Sequence, residues 1–400
     1  MRILHLATSS NGGAGIAAIR LHNGLQNLGV DSAFISRENL EDYVHSRKLS
    51  RFVPTLLSKS LSFVQMPGRL SRESLVTPFQ IDFLKKYLQE IEIEDFDVVH
   101  IHAPFNFIGE ESIREIAYRS RGKIYITLHD QRFLTGGCHY TEECREFERQ
   151  CQQCPQVRKV FQQSVAREHI KAKRLFTELI LSKKIVLVAP SKWIAGEALR
   201  STILENAEIE IIPNGIPNIF FDSALRRQPR KRKIVGFSSF NLHNPYKGLE
   251  YLINAMRHIN DAKNQEIELC LLGNGKIATE KFPIQQKIAK SDFEVIDFLH
   301  QIDILAVPSS QDNLPSVVLE ALAAGVPVVG TSVGGIAEVL DLCQMPKVQS
   351  NDSFSLAKSL MEIIECDRSS SSEQISILMK KKFSIEVVTK SLLDSYSKNK

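Results

Sequence analysis

The feature that most limits what this chain can fold into is an alternation of short, continuously apolar runs with helical patterns, in two series. The first series reads "RILHLAT", "DSAFIS", "DVVHIH", "KIYITLH" and "KIVLVAPS", with the helical "GIAAIRLHNGLQNLG" after its first member. These runs have the length and β-branched content of strands. A break follows in "IIPNGIPN" and the charge-dense "RRQPRKRK". The second series then reads "IVGFS", "IELCLLG", "IDILAVPS" and "VPVVGTS". Strands apolar on both faces and separated by helices belong to parallel sheets covered on both sides. The predicted class is therefore α/β, with two doubly wound, Rossmann-like domains. A chain of 400 residues also exceeds what one hydrophobic core usually serves. We place the first domain at residues 1–215 and the second at 216–380, with a helix over 381–400 packing back on the first. No short repeat marks a solenoid.

Composition excludes some classes. No apolar run reaches the roughly 18 residues of a bilayer span, and the opening "MRILHLATSSNGG" ends in a turn and has no signal-peptide layout. A cytoplasmic location is expected, where structural disulfides are rare. The formal charge of +4 is too small to argue for nucleic acid. Charge is unevenly placed, however. Between Tyr43 and Arg72 there is no acid, and Arg47, Lys48, Arg51, Lys59, Arg69 and Arg72 alternate with apolar residues. Such a segment suits either an anionic membrane surface, making the protein peripheral, or an ordinary surface loop.

Doubly wound sheets bind ligands beyond the carboxyl ends of their strands, and two such sheets facing each other would hold a ligand in the cleft between them. After the first strand, "GAGIAA" (Gly13–Ala18) only loosely resembles a dinucleotide fingerprint. Its first glycine comes late, and no acid sits cleanly at the end of "AFISRE". What remains is either a tight turn or a close backbone approach to phosphate at a helix N-terminus. In the second series, "VPSSQDNLPSVVLEALAAGVPVVGTSVGGIAE" puts Asp312 and Asn313 in a loop, opens a helix at Leu314-Pro315 and carries Glu320 on that helix. Carboxylates there can each accept two hydrogen bonds from vicinal hydroxyls of a sugar or ribose.

A third stretch, "LHDQRFLTGGCHYTEECREFERQCQQCP", holds His129 after a strand and then Cys138, Cys144, Cys151 and Cys154. Four thiolates can form a closed structural zinc site. Free thiols, a redox-sensitive pair or a competing His139 ligand fit the spacing as well. A nucleic-acid module is disfavoured, because Asp130, Glu142, Glu143, Glu146 and Glu148 outnumber Arg132, Arg145 and Arg149 around the cysteines.

Asp312, Glu320 and the following "ALAAGVPVVGTSVGG" resemble the second-domain signature of the retaining glycosyltransferases of family 4, which have the GT-B fold. "APSKW", "IIPNGI", "YKGLEYLINAM" and the glycine-rich opening are similar to segments of that family, and "TGGCHY" with its cysteines to a polysaccharide-building subset. The resemblance implies transfer of a sugar, with retention, from a nucleotide-diphosphate donor to a glycan or lipid-linked acceptor, without a metal in catalysis. It implies that Glu320 holds the ribose and Asp312 the donor sugar, with Asn313, Leu314 and Pro315 beside them. Lys247 would balance the diphosphate, Gly12 and Gly13 would close over it, and His129 would contact the transferred sugar. The sequence departs from the family where Asp312 replaces the usual Glu, and where no Arg stands between Ile234 and Lys247; His243 is one substitute. A non-catalytic nucleotide-sugar-binding subunit and a GT-B nucleotide-sugar epimerase are the alternatives.

Overall fold

The structure, a computed structural model, describes residues 1–40, 82–223, 233–263, 267–365 and 369–399. The basic stretch Tyr43–Arg72, most of "RRQPRKRK" and Cys366 lie outside the described residues. The chain divides into two compact units, Met1–Pro213 with Thr389–Lys400, and Asn214–Val388.

The first unit is built on a six-stranded parallel sheet in the order β2-β1-β3-β4-β5-β6. Its strands are β1 (Arg2–Ala7), β2 (Asp31–Ser36), β3 (Val98–His102), β4 (Ile124–Thr127), β5 (Ile185–Ala189) and β6 (Ile209–Ile211). Every residue of β3, β4 and β5 is buried, as continuous apolar runs require of central strands. Leu4, Leu6, Ile101, Ile126 and Leu187 feed one core. Because successive side chains alternate across a strand, His5, His100 and Tyr125 lie on the opposite face. The helix Ile385–Lys398 contributes its later turns to that face. Tyr396 is fully buried with its ring 4.6 Å from Tyr125, and Tyr125 Oη donates to the Ser395 carbonyl at 2.9 Å.

The second unit carries another six-stranded parallel sheet, β12-β11-β10-β7-β8-β9. Its strands are β7 (Ile234–Asn241), β8 (Glu268–Asn274), β9 (Ile284–Lys287), β10 (Ile304–Val307), β11 (Val328–Thr331) and β12 (Lys347–Val348). Both faces are covered. Leu305 and Val307 of β10 join one apolar core, Ile304 and Ala306 the other. Local chemistry agrees with this layout: Ser291 and Glu294 form a reciprocal capping box that starts the helix Asp292–Gln301. The expected two-sheet α/β architecture is what the structure has.

Candidate functional site

Each sheet reverses its strand order once. In the first, the chain runs outward from β1 to β2 and then returns to β3, so the reversal lies between β1 and β3. In the second it lies between β7 and β10. Loops leaving the carboxyl ends of such strand pairs splay apart and leave a crevice for ligands.

In the second unit that crevice is lined by Phe237 and Ser238 of β7, Ala306 and Val307 of β10, Lys247, Ser309, Asp312 and Pro315 from the turns that follow, and Val317 from the helix Ser316–Ala323. Lys247 Nζ is 2.5 Å from Asp312 Oδ2, with the carboxylate buried and the lysine half-buried. Ser309 Oγ donates to the same oxygen at 3.4 Å. The two side chains expected to contact the diphosphate and the sugar are thus paired with each other. The helix Ser316–Ala323 starts beside them after Pro315, and Asn313 and Leu314 are buried in its approach. Glu320 sits on that helix, also buried, and does not line the crevice that Lys247 and Asp312 share.

Two glycines make this loop geometry available. Gly334 has φ +52°, and a Cβ there would lie 1.7 Å from the Asp312 carbonyl oxygen. Gly335 N–H donates to the Asn313 carbonyl at 2.5 Å. The glycines of "TSVGG" therefore press the next loop against the acidic one. Gly248, φ +74°, lets the Lys247 turn pass within 2.1 Å (for a virtual Cβ) of the Pro308 carbonyl oxygen. Only glycine adopts such a conformation without strain while leaving space for the neighbouring backbone.

In the first unit, Gly12 and Gly13 open the helix Gly12–Asn27, and a Cβ at either would meet open space. The acid that closes "AFISRE", two residues past the end of β2, turns toward the first loop. Glu38 accepts from Ser9 Oγ at 2.6 Å and from Ser10 N at 3.3 Å. It braces the "TSSN" turn from the side, a contact that depends on β1 and β2 being neighbours in the sheet.

His129 lies after β4 in a pocket shared with Ala103, Phe105, Thr127, Asp130, Arg132 and His139. Asp130 is tied down by the Arg132 N–H at 2.9 Å and the His139 ring at 2.5 Å. Behind His129 stand three histidines that the sequence reading does not single out. His129 Nε2 is 3.2 Å from His102 Nδ1, and His102 Nε2 is 3.1 Å from His5 Nδ1. His100 bonds Tyr396 Oη at 2.6 Å and Thr127 Oγ1 at 2.7 Å. Burial holds all four uncharged at neutral pH: it pushes His129 down to about 4, His5 to about 3, and His100 and His102 well below the usual range. Their i, i+2 spacing in "VVHIH" was the available signal; it places His100 and His102 on one face of β3.

The four cysteines occupy one loop, with Cys138, Cys151 and Cys154 buried, Cys144 half-buried, and all four unpaired as disulfides. A thiol–thiol hydrogen bond links Cys138 and Cys154, raising the Cys138 thiol and lowering that of Cys154. Burial pushes Cys151 up to about 12. Cys138 feels the charge of each of the other three sulfurs, and a divalent cation would relieve that repulsion, so the donor set suits zinc. Among the described residues, three ligand atoms within 4.8 Å of one another occur at His5, His100 and His102, not among these sulfurs. A tetrahedral zinc, whose sulfurs stand about 3.8 Å apart, would draw the loop tighter than it is here.

A family model described as "Glycosyltransferase Family 4" matches residues 11–218, and one described as "Glycosyl transferases group 1" matches residues 232–366. The putative colanic acid biosynthesis glycosyl transferase WcaC of Escherichia coli K12 is 27% identical over 220 residues, 54% of this chain and 53% of that protein. The MMP alpha-(1->4)-mannosyltransferase of Mycolicibacterium hassiacum is 23% identical over 38% of each chain. The matched segments thus span about half the length of these curated relatives or less. Among solved structures, a glycosyltransferase from Rickettsia africae superposes with a TM-score of 0.62 at 17% identity, covering 99% of this chain and 98% of its own. HepE of Anabaena, solved in complex with UDP and glucose, superposes with a TM-score of 0.63 at 14% identity over the full length of both chains. These likenesses show the fold.

Proposed function

The chain belongs to glycosyltransferase family 4, and from that premise we propose that it moves a hexose from a nucleoside-diphosphate donor to a glycan or lipid-linked acceptor, with retention. The observation that carries the reading is the pairing of Lys247 with Asp312 at the strand-order reversal of the second sheet. A lysine beside a helix N-terminus supplies fixed positive potential where a departing diphosphate accumulates negative charge. Once the diphosphate takes the lysine, the Asp312 carboxylate is released to accept hydrogen bonds from sugar hydroxyls. Glu320 holds the ribose, and Asn313, Leu314 and Pro315 shape the approach. The first unit supplies Gly12 and Gly13 as backbone donors and His129 on the acceptor side. A UDP-sugar donor is supported by HepE, whose structure was solved with UDP-glucose. Glycan assembly is supported by the likeness to WcaC.

The purified chain is expected to show a thermal shift with one nucleotide sugar out of a panel, and to transfer that sugar to a matching acceptor. Binding of a nucleotide sugar without transfer or hydrolysis would leave only a binding subunit. Absence of any nucleotide-sugar shift would sink the donor site.

The cysteine loop, in this reading, is a structural zinc clamp that orders the chain after His129. Elemental analysis should find about one zinc per chain. Chelation should loosen the loop and impair transfer while nucleotide binding persists, because the donor pocket belongs to a different core. Four titratable thiols in fully active, metal-free protein would remove the clamp. The segment Tyr43–Arg72 is proposed to adsorb to anionic vesicles. Reversing Arg47, Lys48 and Arg51 to Glu should release the protein, since each basic residue contributes about 1 kcal/mol at such a surface. Vesicle binding that ignores salt in the unaltered protein would count against it.

A further inference from the structure

The buried histidines of the first unit form an ordered hydrogen-bonded row that ends at the pocket. Rings His5, His100 and His102 could in principle gather a metal, since their nitrogens lie within 4.8 Å of one another. Their hydrogen bonds argue otherwise. The facing nitrogens of His5 and His102 are 3.1 Å apart, a hydrogen-bond distance that leaves no room for an ion between them. Both nitrogens of His100 already face Tyr396 and Thr127. Hydrogen bonding, not coordination, organises the row.

A neutral imidazole has one N–H and one bare nitrogen, so a row of them has a direction. Two directions are open. In one, His129 donates to His102, His102 donates to His5, and the His5 proton sits on Nε2. In the other, every proton lies on Nδ1. His5 Nε2 is fully buried and has no partner. A buried N–H without an acceptor is the rarer defect in folded proteins, and an unfilled acceptor the commoner one.

We propose that His5 and His102 are positioning residues that fix the tautomer of His129: His5 Nδ1–H donates to His102 Nε2, His102 Nδ1–H donates to His129 Nε2, and His129 carries its proton on Nδ1. His129, which lines the pocket, is then a neutral imidazole whose N–H lies on the nitrogen away from His102. It does not act as a general base, because its one basic nitrogen is occupied by His102. The tautomer follows from the row itself. Its use toward a sugar hydroxyl rests on the transferase reading above.

The test is long-range proton–nitrogen correlation on the full chain at pH 7, with ring-nitrogen-labelled histidine. His5, His102 and His129 should each show a protonated Nδ1 and a bare Nε2. A protonated Nε2 at His129, or an imidazolium at any of the three, overturns the proposal. So does a nitrogen shift on adding zinc at His5 or His102. None of these readings depends on donor, acceptor or turnover, so they stand or fall apart from the transferase reading. In a His102→Phe variant the donor to His129 is lost, and the His129 signals should move to Nε2–H or to a mixture. If that variant does not fold, His5→Leu, which removes the far end of the row, should shift His102 in the same way. Unchanged tautomers in a folded variant overturn the proposal.

Discussion

On lowering the pH from 7 to 4, the first unit is expected to lose about 6 kcal/mol of stability through His5 and His129 together. Their folded values of about 3 and about 4 lie below the ordinary histidine value of 6.5. The unfolded chain therefore binds more protons in this interval, and stability falls as the pH drops. The contribution is complete above pH 6.5 and is lost progressively from there toward pH 4 and 3. A pH of 4 lies about 2.5 units below the unfolded value, so each group has by then given up about 3 kcal/mol at roughly 1.4 kcal/mol per unit. The groups facing the row are few. His22 from the helix Gly12–Asn27 faces His5, and burial lowers it too; Asp130 partly offsets the shift at His129. Tyr396 and Thr127 face His100 as neutral hydroxyls. Urea titrations at pH 7, 5.5 and 4 measure the slope. Carboxylates also contribute to acid unfolding, so the decisive comparison is His5→Phe, which should flatten the slope by about half of the 6 kcal/mol. An unchanged slope in that variant would show that the row is not neutral in the folded state.

The second large effect is on transfer. Glu320→Ala and Lys247→Ala are each expected to reduce turnover at least tenfold, since a charged hydrogen bond to a bound group is worth about 1.5–3 kcal/mol. Removing Lys247 leaves the buried Asp312 carboxylate without its cation, which should cost stability by about 1–3 kcal/mol. Lys247→Met combined with Asp312→Asn removes both charges and should restore the melting temperature without restoring transfer. Wild-type rates in both single variants would remove these residues from the site. A double variant as unstable as Lys247→Met would show that the pair is not what holds the loop.

How much of this was open to a reader of the sequence differs by element. Eight of the nine strand runs read from the sequence, all but "DSAFIS", form interior strands that are mostly buried and therefore apolar along most of their length, so their pattern alone announces them. The strands that this reading omits are β6, β9 and β12. All are sheet edges, short and partly exposed. An edge strand needs apolar side chains on no more than one face, and at two to four residues these three are too short to show a periodicity, whereas the six-residue edge strand β2 is long enough to be read. The loop carrying Asp312 and the Lys247 turn were legible because glycine, proline and acid residues cluster there. Their ion pair was not, because the two are separated by 65 positions and meet only when β10 pairs with β7. The histidine row shows the same division more sharply. "VVHIH" states that His100 and His102 share a face, since side chains alternate along a strand. That His5 lies opposite His100, that His129 caps the row and that Tyr396 reaches His100 from 296 residues away follow from the tertiary fold. Local sequence determines burial and alternation, because they depend on each residue's own solvation and dihedrals. Only tertiary structure decides which buried polar groups meet, because the sheet, and not the neighbouring residue, supplies their partners.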